Sequence, residues 1–184
     1  MVRQASDWAV GPINALVNNA LVNYQFNGDA RHHLDTIPWD ALQSQIDGAM
    51  RGSLNNLQAC RSGMQAAGGG CVVNIGTNLF QNPLVLYHDY TAAKGALLAL
   101  TRTPAKEWGP QGIRVHMDSG GLLRSTDVSS ASPAEVFGMI STATPLRKDT
   151  APEEVAEAMV MLLSPLARGI TGQNSVVDGG LVIN

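Results

Sequence analysis

Only two cysteines, Cys60 and Cys71, occur in the 184 residues. They make no disulfide framework, and no CxxC or Cys/His cluster points to a metal. A reduced, cytoplasmic protein is the simplest expectation. Lys and Arg number 12 against 15 Asp and Glu, for a net charge of −3, and no basic run occurs. That argues against a nucleic-acid footprint and against binding to an anionic membrane surface. No apolar run approaches the roughly 20 residues of a membrane span, and residues 1–7 hold no apolar signal core. Ser119 sits in Asp-Ser-Gly-Gly rather than GxSxG, which argues against a hydrolase elbow. Adjacent His32 and His33 point apart on any regular element, so a loop pair is expected there in place of a metal site.

What remains is a chain with 45% hydrophobic and 15% charged residues and 19 glycines, the composition of one globular domain over residues 1–184 with many tight turns. Val2, Ala5, Trp8 and Ala9 share one side of a helix end that Gly11-Pro12 stops. Residues 13–17 form a short apolar run, read as a strand buried on both faces. Residues 22–36 are polar and irregular. Pro38 suits a first helical turn, and Leu42, Ile46, Met50, Leu54, Leu57 and Met64 recur at helical spacing over residues 39–67. Residues 71–75 form a second buried strand, followed by a loop over 76–89 that includes His88 and Asp89. A helix is expected over 90–108, a third strand over 113–117, and a loop of small residues at Ser119-Gly120-Gly121. Ser132-Pro133-Ala134-Glu135 and Thr150-Ala151-Pro152-Glu153 read as capping boxes. They open helices to about 142 and over 153–163, the second with Val155, Met159 and Leu162 inward. A last strand covers 175–177. The alternation of strand and helix predicts an α/β fold with a parallel, doubly wound sheet.

Tyr90 and Lys94 stand four apart on one helix, so they share a face. A phenol is a poor acid or base at neutral pH, and a fixed ammonium beside it favours the phenolate. Ligands of such sheets bind beyond the C-terminal strand ends. There the loops carrying Asn18-Asn19-Ala20, Gly76-Thr77 and Ser119-Gly120-Gly121 converge on the start of this helix. His88 and Asp89 read as plain loop residues or as residues facing substrate. Leu122, Leu123, Val128, Phe137, Met139 and Ile140 form an apolar segment over the crevice, either packed helix or mobile lid.

These motifs, in order over residues 12–184, resemble the short-chain dehydrogenase/reductase family. They are similar to its bacterial members often labelled 3-oxoacyl-carrier-protein reductases. Asn18-Asn19-Ala20 resembles the family's asparagine motif, Thr77 its catalytic Ser, and Tyr90 and Lys94 its YxxxK. Gly120-Gly121 stands for its Pro-Gly, and Thr171-Gly172-Gln173 with Val177-Asp178-Gly179-Gly180 matches its C-terminal signature. The resemblance implies a Rossmann-like sheet and hydride transfer between NAD or NADP and a small-molecule carbonyl or secondary alcohol. It implies Tyr90 as general acid/base, Lys94 lowering its pKa and holding the nicotinamide ribose, and Thr77 holding the substrate oxygen. Asn18, Asn19, Ala20, Gly120, Gly121, Leu123 and Ser125 would line the cofactor. A homo-oligomer, dimer or tetramer, is implied as well.

The chain also departs from the family. No GxxxGxG occurs, so the expected sheet is N-terminally truncated, its first strand edge is open, and the adenosine half has no visible site. A fragment of a longer chain is the expectation; a remnant that keeps the scaffold without binding the dinucleotide is the alternative. Ala49 stands where relatives carry a catalytic Asn, and Leu21 replaces a Gly. His116 and Asp118 fall in and just after a buried strand, where an unpaired carboxylate is costly. Pro104 interrupts the Tyr90 helix at about 3 kcal/mol, which bears on the oligomer interface that the resemblance assigns to this helix.

Overall fold

The computed structural model describes residues 4, 5, 7, 11–21, 24–124, 126, 129 and 132–183. Val2, Trp8 and Ala9 of the expected first helix, and Ser125 and Val128, lie outside the described residues. Four parallel strands run side by side in chain order: β1 (Ala15–Asn18), β2 (Gly70–Ile75), β3 (Ile113–Gly120) and β4 (Asn174–Val177). The helices with both ends among the described residues are α1 (Trp39–Ala66), α2 (His88–Trp108), α3 (Ala134–Ala143) and α4 (Pro152–Leu163). The doubly wound α/β arrangement follows from two cores. On one sheet face Val72, Ile113 and Val115 pack against Leu57, Cys60 and Met64 of α1 and Ala105 and Trp108 of α2. On the other, Val73 and Ile75 meet Met159, Leu162 and Leu163 of α4.

The central strands are buried from both sides, which is why residues 71–75 and 113–117 are mostly apolar, with Asn74, Arg114 and His116 as the polar members. The first strand differs. It covers Ala15–Asn18 instead of residues 13–17, and it is not buried on both faces: Ala15 and Val17 are exposed. Leu16 packs toward α1 and α2, whereas α4 reaches β2 and β3 and leaves the opposite side of β1 open. Among the described residues β1 pairs only with β2, so its other flank is an edge.

β3 is longer than expected. It takes in Asp118, Ser119 and Gly120, which pair with Ser175, Val176 and Val177 of β4. Those small and polar residues carry no strand signal of their own; the ladder with β4 extends the strand through them. Gly69 shows why the stretch before β2 is all glycine. Its φ is +143°, and a Cβ there would lie 2.7 Å from the Gly112 carbonyl oxygen, so only glycine lets the α1–β2 turn close on the start of β3.

α2 begins at His88, two residues before the expected start, and runs unbroken through Pro104, which is buried. Tyr90 and Lys94 lie more than two turns before Pro104, in a regular stretch. Neither expected capping box forms as written. α3 has Pro133 as its N-cap without a side-chain bond. At α4 the pattern shifts by one residue: Ala151 is the N-cap, Pro152 is the first helical residue, and the Glu154 carboxylate accepts the Ala151 N–H at 2.9 Å. Pro38 is likewise the N-cap of α1 rather than part of its first turn. Among the described residues no helix is long and apolar enough to cross a membrane.

Candidate active site

The C-terminal ends of β1, β2 and β3 and the start of α2 open onto one cavity of about 700 Å³. Thr77, Tyr90 and Lys94 all line it, as do Asn19, Ala20, Gly120, Gly121 and Leu123. Each arrives by a different local device. Thr77 follows β2 and caps the short 3-10 turn Asn78–Phe80, its hydroxyl accepting the Leu79 N–H at 3.3 Å. Tyr90 and Lys94 occupy the first two turns of α2 on one face, and the Lys94 ammonium sits 5.7 Å from the centre of the Tyr90 ring.

Burial governs the electrostatics. The Tyr90 phenol is pushed up to about 12 by burial, against a hydrogen bond with the Thr77 hydroxyl that pulls it down. Burial pushes Lys94 down to about 8. The depression of the Tyr90 phenol expected from Lys94 does not enter: burial sets the direction, and Thr77 alone pulls against it. One of the three Lys94 N–H groups is donated to the Ile75 carbonyl at 2.6 Å.

Asn18 stands apart from the other expected residues because it does not line the cavity. Its carboxamide donates to Asn74 Oδ1 at 2.8 Å and accepts from Asn56 Nδ2 at 3.0 Å. Asn74 donates to Thr101 at 2.9 Å, and Thr101 in turn to the Leu97 carbonyl. This buried chain ties β1 and β2 to α1 and α2 and holds Asn18 inward, while Asn19 and Ala20 face the cavity.

Three sets of contacts were not given by sequence reasoning. The first is aromatic. All three tyrosines of the chain, Tyr24, Tyr87 and Tyr90, gather with Phe26. Tyr87 receives the Gly28 N–H at 3.0 Å, so a loop read as merely polar is pinned on the start of α2. Two aromatics in that otherwise polar loop are the signal available in the sequence. The second is Asp89. It is neither a loop residue nor a cavity residue; it is buried in the first turn of α2, where its carboxylate accepts from Tyr24 and from the Tyr90 N–H. His88 lies in the same turn. The third is Asn78, which donates to Asp178 at 2.9 Å. Asp178 also accepts the N–H groups of Gly180 and Val182, so the C-terminal Asp-Gly-Gly turn is fastened beside the cavity.

The apolar segment divides: Leu122, Leu123 and Ile140 line the cavity, Phe137 is buried, and Met139 is exposed. His116 and Asp118 are fully buried in β3. Among the described residues neither carboxylate oxygen of Asp118 has a hydrogen-bond partner, and burial pushes the group up to about 7. Burial and the neighbouring Arg114 charge push His116 down to about 4.

A family model described as Enoyl-(Acyl carrier protein) reductase matches residues 1–182. The chain is 34% identical over 170 residues to the A-factor type gamma-butyrolactone 1'-reductase (1S-forming) of Streptomyces virginiae, a match covering 90% of this chain and 65% of that protein. The gluconate 5-dehydrogenase of Burkholderia cenocepacia J2315, solved in complex with NADP and tartrate, superposes with a TM-score of 0.84 at 29% identity, over 98% of this chain and 70% of that one. The 3-oxoacyl-[acyl-carrier protein] reductase of Brucella melitensis ATCC 23457 gives 0.87 at 28% identity, over 100% and 68%. The chain thus spans about two thirds of the length of these proteins.

Proposed function

This chain belongs to the short-chain dehydrogenase/reductase family, and from that premise we propose that it carries the carbonyl-handling part of an NAD(P)-dependent oxidoreductase. The reading rests on one observation: Thr77, Tyr90 and Lys94 line a single cavity at the strand ends, with Tyr90 and Lys94 in the first two turns of α2. In the reductive direction Thr77 holds the substrate oxygen and Tyr90 gives it a proton. A phenol that burial keeps protonated is in the form that this direction needs. The carbonyl carbon gains a hydride, and a secondary alcohol leaves.

A bound reduced nicotinamide dinucleotide, NADH or NADPH, would supply the hydride in this direction. The inner end of the cavity fits its nicotinamide half. A side chain at Gly120 would project between Leu123 and Val155, 3.5 Å from each, so glycine keeps that space open. Lys94 is a buried donor with one bond to the protein at Ile75, and its remaining N–H groups suit ribose hydroxyls. Asn19, Ala20, Gly121 and Leu123 complete that wall.

A second reading, a scaffold without catalysis, is favoured by a specific contact: Tyr24 lies stacked on Tyr90 at a centroid distance of 5.1 Å. Fluorescence titration with NADH and NADPH separates the two. Saturable micromolar binding is expected for the oxidoreductase; folded protein that binds neither dinucleotide supports the scaffold.

A further inference from the structure

Between Tyr90 and α3 the cavity wall is hydrocarbon. Leu79, Leu84, Val136, Ile140, Met159 and Leu181 face the space. Lys94 is the one side chain among the described lining residues that is charged at neutral pH, and it is buried and bonded to the Ile75 carbonyl. The polar side chains on the wall are largely spent within the protein. Asn78 is held by Asp178, Thr126 and Ser129 bond to each other, and Thr77 is engaged by the Leu79 N–H and by Tyr90. Among the described lining residues only Asn19, on the wall given to the dinucleotide, Ser132, and Tyr87, whose hydroxyl receives the Gly28 N–H, add polar side chains to these, so a substrate meets mostly apolar surface away from Thr77 and Tyr90, where a single oxygen can be received.

We infer that the cavity takes a neutral carbonyl compound with a hydrocarbon body, in preference to a polyol or an acid. This deepens the oxidoreductase reading and rests on it for the carbonyl. A ketose would bring hydroxyl groups to a wall with few free partners, and each hydroxyl desolvated without a hydrogen bond weakens binding by roughly tenfold. A carboxylate would need a cation to replace its water, and Lys94 lies beside the reacting oxygen, at the wrong end for a remote acid group. A methylene gains instead: each one buried against this wall tightens binding by about fourfold.

The test compares 2-butanone, 2-hexanone and 2-octanone with 2-oxohexanoate and fructose. Binding to the intact chain is read by saturation-transfer NMR without dinucleotide, and turnover is read separately with NADH and NADPH. The affinity of the ketones is expected to climb by about fourfold per methylene, with the oxo acid and the ketose at least tenfold weaker than 2-octanone. Ile140→Asp, and independently Val136→Asn, are expected to flatten that climb while circular dichroism shows the fold retained. Equal or tighter binding of fructose or the oxo acid overturns the inference, as does a chain-length dependence that survives in both folded variants. Tight ketone binding without turnover counts against hydride transfer and leaves the substrate class standing. Turnover of fructose in preference to 2-octanone does the reverse.

Discussion

Tyr24 lies stacked on Tyr90, with ring centroids 5.1 Å apart and planes 26° apart, and its hydroxyl donates to Asp89 Oδ1 at 2.9 Å. The same oxygen accepts the Tyr90 N–H at 2.8 Å. One oxygen of Asp89, 65 positions along from Tyr24, therefore joins that loop residue to the backbone of the candidate proton donor.

Removing the covering ring exposes the Tyr90 phenol. In Tyr24→Ala the phenol, pushed up to about 12 by burial, is expected to titrate closer to the ordinary value near 10. Phenolate absorbance against pH reads this directly, with Tyr90→Phe identifying the transition. Tyr24→Phe keeps the ring and loses the bond to Asp89, and should cost about 1 kcal/mol of stability.

Asp118 and His116 set opposing pH dependences. The folded-state pKa of Asp118 is raised, from 3.8 to about 7. Its neutral form is favoured by folding, so the associated stability is full below pH 3.8 and is lost as the pH rises toward 7. His116 is lowered from 6.5 to about 4, so its contribution is full above 6.5 and is lost as the pH falls toward 4. In the wild type the two slopes largely cancel over that interval. Asp118→Asn removes one of them. Urea unfolding should then show stability rising from pH 4 to 6.5 and staying level above, with a larger gain over wild type at pH 8 than at pH 4.

Arg114 closes the end of α4. Its Nη1 donates to the Leu162 and Ala167 carbonyls at 2.6 and 3.2 Å, and its Nη2 to those of Leu163 and Ser164 at 3.4 and 3.3 Å. Last-turn carbonyls have no intrahelical partner, and a planar guanidinium fork spreads its donors over these four carbonyls from two nitrogens, whereas an ammonium offers three donors from a single nitrogen. Arg114→Met should destabilise by about 2–3 kcal/mol, and Arg114→Lys should recover only a minor part, as measured by denaturant midpoint.

The backbone of this account was legible in short stretches of sequence. Strands buried on both faces are rich in apolar residues, and residues 71–75 and 113–117 are legible as strands on that ground although Asn74, Arg114 and His116 interrupt them. The spacing of Tyr90 and Lys94 is a property of any helix, so their shared face followed at once. Tyr24 was not legible, because its partners Asp89 and Tyr90 lie far along the chain and no local pattern links them. Asn18 looked like a cavity residue because its neighbours are. Its engagement with Asn74 and Asn56 depends on the register of β1 with β2, which pairs Asn18 with Asn74. The exposed side of β1 was misread for a related reason: an apolar run signals burial only where a layer exists to cover it.

The most direct measurement is steady-state oxidation of NADH or NADPH by the chain with an apolar ketone, for wild type and for Tyr90→Phe. If Tyr90 donates the proton, the variant should bind dinucleotide as wild type does and lose roughly 100-fold or more in kcat. Turnover that persists undiminished in Tyr90→Phe would contradict the account.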